Sequence, residues 1–132
     1  MKINFKDWDA MCVHVENNAP LEACGLLAGK NNSVEKVFLI TNQAQSPVRF
    51  RMDPTEQLNA LEWIDVNGLE LLAIFHSHPA GPETVSATDI EEAAYPVVNI
   101  IWSPNNGSWQ ARGFRIEGGR TTEVELQIVK GE

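Results

Sequence analysis

Residues 76–89 of the chain read HSHPAGPETVSATD, and they directly follow an apolar run with the composition of a buried strand. Side chains on a strand alternate between its two faces, so His76 and His78 point the same way. Two imidazoles about 6–7 Å apart at Cα can converge on one cation. Asp89 lies beyond a loop rich in Pro and Gly and can supply a third, oxygen ligand. Two histidines and one carboxylate give the ligand count of a catalytic zinc site, whose fourth position holds water.

Each part of this pattern also has a purely structural interpretation. A His-x-His pair at a strand end also occurs in proteins that bind no metal. Ser86 and Asp89 form an S-x-x-D pattern, which is typical of a capping box and predicts a helix over Ala87–Ala94. An acid in the first helical turn favours the helix dipole and can still face the strand end. Local physics therefore leaves both interpretations of Asp89 open.

The complete spacing is more specific than its parts. His-x-His, seven residues, Ser, two residues and Asp resembles the signature of the JAMM/MPN metalloprotease family, in its short single-domain bacterial and archaeal form. That family also places a Glu upstream, in a strand that begins near a Pro and runs into a Gly-rich turn. Glu22 stands in this context, within the segment PLEACGLLAG at residues 20–29. The chain departs from the family pattern at none of these positions, which implies an active member.

The resemblance implies both a fold and a set of roles. The expected fold is a single α+β (mixed α/β) domain over residues 1–132, with a curved mixed sheet flanked by helices, similar to the cytidine-deaminase-like architecture. One Zn²⁺ per chain is expected on His76, His78 and Asp89, with water as the fourth ligand. Glu22 matches the general base, which takes a proton from that water and passes it to the leaving amine. Ser86 matches the residue that donates a hydrogen bond to the tetrahedral oxyanion.

The function implied is that of a zinc-dependent metallopeptidase or isopeptidase. The expected substrate is an amide bond after the C-terminal Gly-Gly of a ubiquitin-like or sulfur-carrier protein. A second hypothesis is a non-catalytic protein-interaction module that zinc stabilises, in which Glu22 is dispensable. A zinc nucleoside deaminase is disfavoured, because the chain has neither an H-x-E motif nor the P-C-x-x-C segment that accompanies it.

Composition excludes several other classes of function. The 132 residues suit one domain, and the net charge of −8 argues against binding to nucleic acid or to anionic membranes. No apolar stretch approaches the length of a membrane span, and no secretory signal is visible at the start. Cys12 and Cys24 are interpreted as small buried apolar residues, a usage that indicates a reducing cytoplasm. The oligomeric state stays open.

Periodicity and turn signals give the secondary structure. Helices are predicted over Lys6–Asn17 and from an Asp53 cap to Asn67. A turn is predicted over Ser103–Gly107 and a hairpin about Gly118. The strands predicted are Glu22–Ala28, Val34–Thr41, Val48–Met52, Leu69–Phe75, Val97–Trp102, Trp109–Arg115 and Thr121–Val129.

Overall fold

A computed structural model describes residues 1–93 and 95–130 of the chain. Within these residues the helices are α1 (Phe5–Asn18), α2 (Pro54–Val66) and α3 (Ala87–Glu91). The strands are β1 (Lys2–Asn4), β2 (Cys24–Lys30), β3 (Ser33–Ile40), β4 (Glu70–Ser77), β5 (Val98–Asn105), β6 (Ser108–Glu117), β7 (Arg120–Val124) and β8 (Gln127–Val129).

The strands form one mixed sheet in the order β7-β6-β5-β4-β2-β3-β1-β8. The pairs β4·β5, β1·β3 and β1·β8 are parallel, and the remaining neighbours are antiparallel. The two edge strands, β7 and β8, are joined by Glu125 and Leu126 alone. So short a connection spans at most about 11 Å, so the sheet must curl until its two edges approach each other.

The two longer helices lie on opposite faces of this sheet. On one face, α1 buries Met11 and Val15 in a core that contains Phe75 and Trp102. On the other face, Ala60 of α2 belongs to a second core, which includes Cys24, Leu26, Ile40 and Met52. Both helices begin at a capping side chain, as expected for polar residues that satisfy free N–H groups. Asn4 Oδ1 accepts from the Asp7 N–H at 2.9 Å, and Asp53 Oδ1 accepts from the Glu56 N–H at 3.0 Å.

The predicted strand over Val48–Met52 is wrong. Residues 42–52 form a loop folded around the buried carboxamide of Asn42, with an isolated bridge between Asn42 and Met52. Asn42 Nδ2 donates to the carbonyl oxygens of Glu22 and Arg49, and its Oδ1 accepts from the N–H groups of Ala44 and Arg51. One side chain thus supplies the hydrogen bonds that a strand would have taken from a neighbouring strand.

Other predicted boundaries also needed correction. β5 continues to Asn105, where a turn over Ser103–Gly107 was predicted. Pro104 is tolerated in the strand because β4 pairs with β5 only as far as Trp102, which leaves one side of the proline without a strand partner. The turn itself is the pair Asn106-Gly107, whose φ angles of 48° and 81° suit a tight hairpin.

The strand predicted over Thr121–Val129 is divided in two. β7 pairs with β6 as the predicted hairpin, whereas β8 pairs with β1, a strand too short to give a pattern in the sequence. The helix predicted over Ala87–Ala94 is shorter, since α3 ends at Glu91; Ala94 lies outside the described residues. β2 begins at Cys24, so Glu22 precedes the strand that was predicted to contain it.

The two cysteines are free thiols. Cys24 is buried and Cys12 is half-buried against the core on the α1 face. Burial raises the pKa of the Cys24 thiol to about 12, so this side chain behaves as a small apolar group. None of the helices in residues 1–93 and 95–130 has the length and apolar character needed to cross a membrane.

Candidate metal centre

The two histidines of the motif stand at the end of β4, in the middle of the sheet. β4 is flanked by β2 and β5, and His76 lies opposite Cys24 on one side and Ile101 on the other. The His78 N–H donates to the Trp102 carbonyl oxygen at 2.7 Å, which continues the pairing by one residue. The side chains of His76 and His78 are 1% and 5% exposed. A central strand therefore fixes the position of both imidazoles and leaves them almost inaccessible to solvent.

The structure brings Asp89 to these imidazoles. The Nε2 atoms of His76 and His78 are 3.1 Å apart. Asp89 Oδ1 lies 3.0 Å from His76 Nε2, and its Oδ2 lies 3.1 Å from His78 Nε2. Tetrahedral zinc with bonds of about 2.0–2.1 Å separates its ligand atoms by roughly 3.3 Å. One ligand atom from each residue lies within 4.8 Å of the other two, so two imidazoles and one carboxylate grouped in this way could hold a metal ion.

The protonation of the cluster also suits a cation. Burial lowers the pKa of His76, which keeps that imidazole in the neutral form that binds metals. Burial also acts to lower the pKa of His78, but its hydrogen bonds to Asp89 and to the Pro82 carbonyl raise it overall. Burial disfavours the charge on Asp89, yet the hydrogen bonds from both histidines lower its pKa.

Asp89 is positioned by the first turn of α3. Ser86 Oγ accepts from the Asp89 N–H at 3.0 Å, and Asp89 Oδ2 accepts from the Ser86 N–H at 2.8 Å. The capping box predicted as an alternative to the metal site is therefore present, and the same carboxylate faces the histidines. The capping role of Asp89 is therefore compatible with a metal-binding role for the same carboxylate. The Ser86 hydroxyl accepts one bond here and still has its own proton to donate.

The outer nitrogens of the two imidazoles have different surroundings. His78 Nδ1 lies 2.8 Å from the Pro82 carbonyl oxygen, a contact that fixes the ring and its tautomer. His76 Nδ1 has no hydrogen-bond partner in the described part of the chain. The ring of Phe50 stacks on His76 instead, with centroids 4.5 Å apart. Neither Phe50 nor Asn42, which folds its loop, was predicted as part of the site, because the sequence carries no motif there and Val48–Met52 was interpreted as a strand.

Glu22 is buried just before β2, although it is a carboxylate. It is 4% exposed, and its backbone is fixed by Asn42, which donates to its carbonyl oxygen at 2.9 Å, and by Ser46, whose carbonyl accepts from its N–H at 2.8 Å. Burial raises the pKa of Glu22 to about 7, assisted by the charge of Asp89 and opposed by His78. A carboxyl group with this pKa can both take and release a proton near neutral pH.

A cavity of about 370 Å³ adjoins the cluster. Glu22, His76 and Asp89 line it together. Phe50, Met52, Ile74 and Tyr95 contribute to the apolar part of its wall. Arg49 and Arg51, from the loop over residues 42–52, also border it, and Arg49 lies 3.6 Å from Glu92. Glu22 and two of the three metal-binding candidates, His76 and Asp89, thus border one space large enough for a side chain of a substrate.

The sequence matches a known family over most of its length. Residues 6–115 match the family described as prokaryotic homologs of the JAB domain. The chain is 46% identical over 115 residues to a desampylase from Pyrococcus furiosus, an alignment that covers 86% of this chain and 81% of the relative. It is 38% identical over 117 residues to a probable TtuB-protein conjugate cleaving protease from Thermus thermophilus, covering 88% and 74% of the two chains.

Comparison with solved structures agrees with the sequence comparison. A solution structure from Desulfitobacterium hafniense superimposes with a TM-score of 0.87 and 34% identity, and covers 98% of this chain and 93% of that one. Solved structures of JAB1/MPN and JAMM proteins share the same architecture. The chain belongs to the prokaryotic JAB-domain family. The expected JAMM/MPN membership, the mixed α+β fold and the peptidase class are thereby confirmed.

Proposed function

We propose that the protein is a zinc-dependent metallopeptidase that uses one zinc ion per chain, held by His76, His78 and Asp89 with water in the fourth position. The observation that carries this proposal is the convergence of His76, His78 and Asp89, whose nearest side-chain atoms are 3.0–3.1 Å apart, beside a cavity that the buried Glu22 lines together with His76 and Asp89. A bound zinc ion would act as a Lewis acid and lower the pKa of its water towards ~7. Every remaining part of the chemistry falls to side chains of the chain itself.

Glu22 is the general base in this proposal. Its raised pKa, about 7, lets the carboxylate accept a proton from the attacking water and return it to the leaving amine. The hydroxyl of Ser86 donates a hydrogen bond to the oxygen that gains negative charge in the tetrahedral state. Because Glu22 lines the cavity, the amine that takes its proton must lie there, and we assign the cavity to the leaving-group side of the scissile bond.

The proposed substrates are conjugates of a ubiquitin-like or sulfur-carrier protein, cleaved after a C-terminal Gly-Gly. Two relatives support this class by their names, a desampylase and a protease that cleaves TtuB-protein conjugates. A glycine tail has no side chains to place near the metal, so it can approach the rigid end of β4 closely. The proposal places the acyl side of the bond over the metal ligands and the amine side in the cavity.

The test combines metal analysis with a cleavage assay on a ubiquitin-like protein joined through its Gly-Gly terminus to a lysine side chain. Wild type should contain one zinc per chain and release the protein with a free Gly-Gly terminus, as read by mass spectrometry. The double variant His76→Ala/His78→Ala should lose both zinc and cleavage. Glu22→Gln should keep zinc and lose turnover by about 10²-fold or more.

Glu62→Gln, an exposed position on α2, is the matched control for the change at Glu22 and should behave as wild type. Unchanged zinc content in the double histidine variant would show that zinc binds at a different site. A near wild-type rate for Glu22→Gln would remove Glu22 from the mechanism. Stoichiometric zinc without cleavage of any Gly-Gly conjugate would favour the interaction module instead.

A further inference from the structure

The loop between the second histidine and the aspartate is tied to the sheet by a residue that takes no part in the chemistry above. Glu83 Oε1 accepts from Arg112 Nη1 at 2.9 Å, and its Oε2 accepts from Gln110 Nε2 at 2.7 Å. Both partners belong to β6, two strands away from the histidines. Glu83 therefore fastens the outermost part of this loop to a rigid element that binds no metal.

The residue next to Glu83 orients a metal-binding candidate. Pro82 offers its carbonyl oxygen to His78 Nδ1 at 2.8 Å, and the Gly81 N–H donates to the His78 carbonyl at 2.8 Å. Hydrogen bonds to the outer nitrogen of a ligating imidazole fix its orientation and raise its affinity for metal. The position of the Pro82 carbonyl is set in turn by where Glu83 is held. A continuous set of contacts therefore runs from β6 to the imidazole of His78.

Contacts with two other side chains fix the guanidinium of Arg112 in the position from which it donates to Glu83. Its Nε and Nη2 atoms donate to the two carboxylate oxygens of Glu123 on β7, at 2.9 and 2.6 Å. Its guanidinium also lies 5.3 Å from the centroid of the Phe114 ring. Exposed ion pairs contribute little to stability on their own, but a bidentate pair preorganises the donor for a further contact. Arg112 thus presents Nη1 to Glu83 in a fixed position.

We propose that Glu83 and Arg112 are positioning residues of the metal centre, which set the imidazole of His78 through the Pro82 carbonyl. The proposal rests on the metal site assigned above. It predicts that breaking the contact weakens metal binding without emptying the site, since His76 and Asp89 are positioned independently by β4 and by α3. Loss of a direct hydrogen-bond partner of a ligand typically lowers metal affinity 10–100-fold, and one step further out we expect about 3–30-fold.

The measurement is the affinity of the full chain for Zn²⁺ and Co²⁺, by chelator competition, with the visible spectrum of the Co²⁺ form as a second readout. Glu83→Ala and Arg112→Gln should each bind about 3–30-fold more weakly and show a changed Co²⁺ spectrum. The double variant should bind no more than about twofold more weakly than Glu83→Ala, because that change already removes the contact with Arg112 as well as the contact with Gln110. The exposed residues of the same hairpin supply the controls Glu117→Ala and Arg115→Gln, which should match wild type.

The sign of the Arg112→Gln effect separates positioning from long-range charge. Removal of a positive charge alone should strengthen binding of a cation, whereas loss of the positioning contact weakens it. Tighter binding by Arg112→Gln, or unchanged affinity in both single variants, would overturn the proposal. A lower melting temperature of the metal-free variants with unchanged affinity would also overturn it, by showing a merely structural role. If wild type itself binds neither metal, the metal site and this inference fall together, whereas the preceding outcomes remove only the positioning role.

Discussion

The ring of Phe50 lies on the imidazole of His76, with ring planes inclined by 24° and centroids 4.5 Å apart. Phe50 is carried by the loop that Asn42 folds, so a part of the chain without regular structure covers one of the two histidines. The stacking keeps His76 dry on the side of the cavity and limits rotation of its ring. We therefore expect metal binding at His76 to depend on the order of this loop.

Replacement of Phe50 by alanine should weaken zinc binding by about 3–10-fold, since stacked aromatic pairs contribute about 0.5–1.5 kcal/mol and the imidazole gains freedom. Chelator competition measures the affinity. Phe5→Ala, which removes a phenyl ring that is 54% exposed at the start of α1, is the control and should not change it. Equal affinities for all three proteins would show that the stacking has no effect on the metal.

Ser77, whose side chain lies on the opposite face of β4 from His76, should fix the position of Glu22 through its hydrogen bonds to the adjacent Ala23. Its buried Oγ accepts from the Ala23 N–H at 2.8 Å, and its N–H donates to the Ala23 carbonyl at 3.0 Å. Ser77→Ala leaves the Ala23 N–H unpaired, which should reduce the free energy of unfolding by about 1–3 kcal/mol. Turnover should fall while zinc is retained, because the neighbouring base moves. Denaturant unfolding and zinc analysis check this, with Ser108→Ala, an exposed serine, as control.

Ser86 should show two separate effects. Because its hydroxyl caps α3, Ser86→Ala should lose about 1 kcal/mol of stability in the metal-free protein. Because the hydroxyl proton is free to stabilise the oxyanion, kcat should also fall by roughly 10²–10³, more than KM rises, with zinc retained. Thermal unfolding and steady-state kinetics separate the two. A variant that melts lower yet turns over normally would leave Ser86 with the capping role alone.

The raised pKa of Glu22 makes the metal-free protein sensitive to pH. The folded protein holds this proton up to about pH 7, against an ordinary carboxyl pKa of 4.5, so its stability falls as pH rises between these values. Glu22→Gln does not titrate, so it should be more stable than wild type above pH 7 and similar below pH 4.5. The difference should stay below about 3 kcal/mol, because the carboxyl borders an open cavity.

Chemical denaturation of metal-free wild type and Glu22→Gln at pH 4, 6 and 8 measures this difference, with Glu62→Gln as the control for loss of an exposed charge. Saturating zinc should reduce it, because a nearby cation favours the ionised carboxylate. A difference that is constant with pH would show that the Glu22 carboxyl has an ordinary pKa in the fold.

Sequence patterns were sufficient for the elements that have strong periodicity or clear caps. α1, α2 and β4 lie within a few residues of their predicted bounds, and the peptidase family follows from the spacing of the histidines to Ser86 and Asp89. These features depend on neighbouring residues, which a single sequence displays directly. The capping box at Asp89 was also predicted, together with the possibility that the same carboxylate faces the end of the strand.

The features that were missed depend on contacts between distant parts of the chain. β1 and β8 are three-residue strands that exist because they pair with each other across the whole length of the sequence. The loop around Asn42 resembles a strand in its alternation of residues. Its backbone groups at Arg49 and Arg51 nevertheless form hydrogen bonds with the Asn42 carboxamide and not with a neighbouring strand. The contact between Glu83 and Arg112 joins residues 29 positions apart, and exposed charges carry no signal of their partners.

The parallel pairing of β1 with β8 also determines how the molecule would respond to a mechanical load. Lys2 lies opposite Gln127 and Asn4 opposite Val129, so the beginning of β1 and the end of β8 are at opposite ends of the paired segment. Tension applied between those two points runs along the strands and shears the pair. All of its hydrogen bonds must then break together, whereas a force that peeled the strands apart would break them one after another.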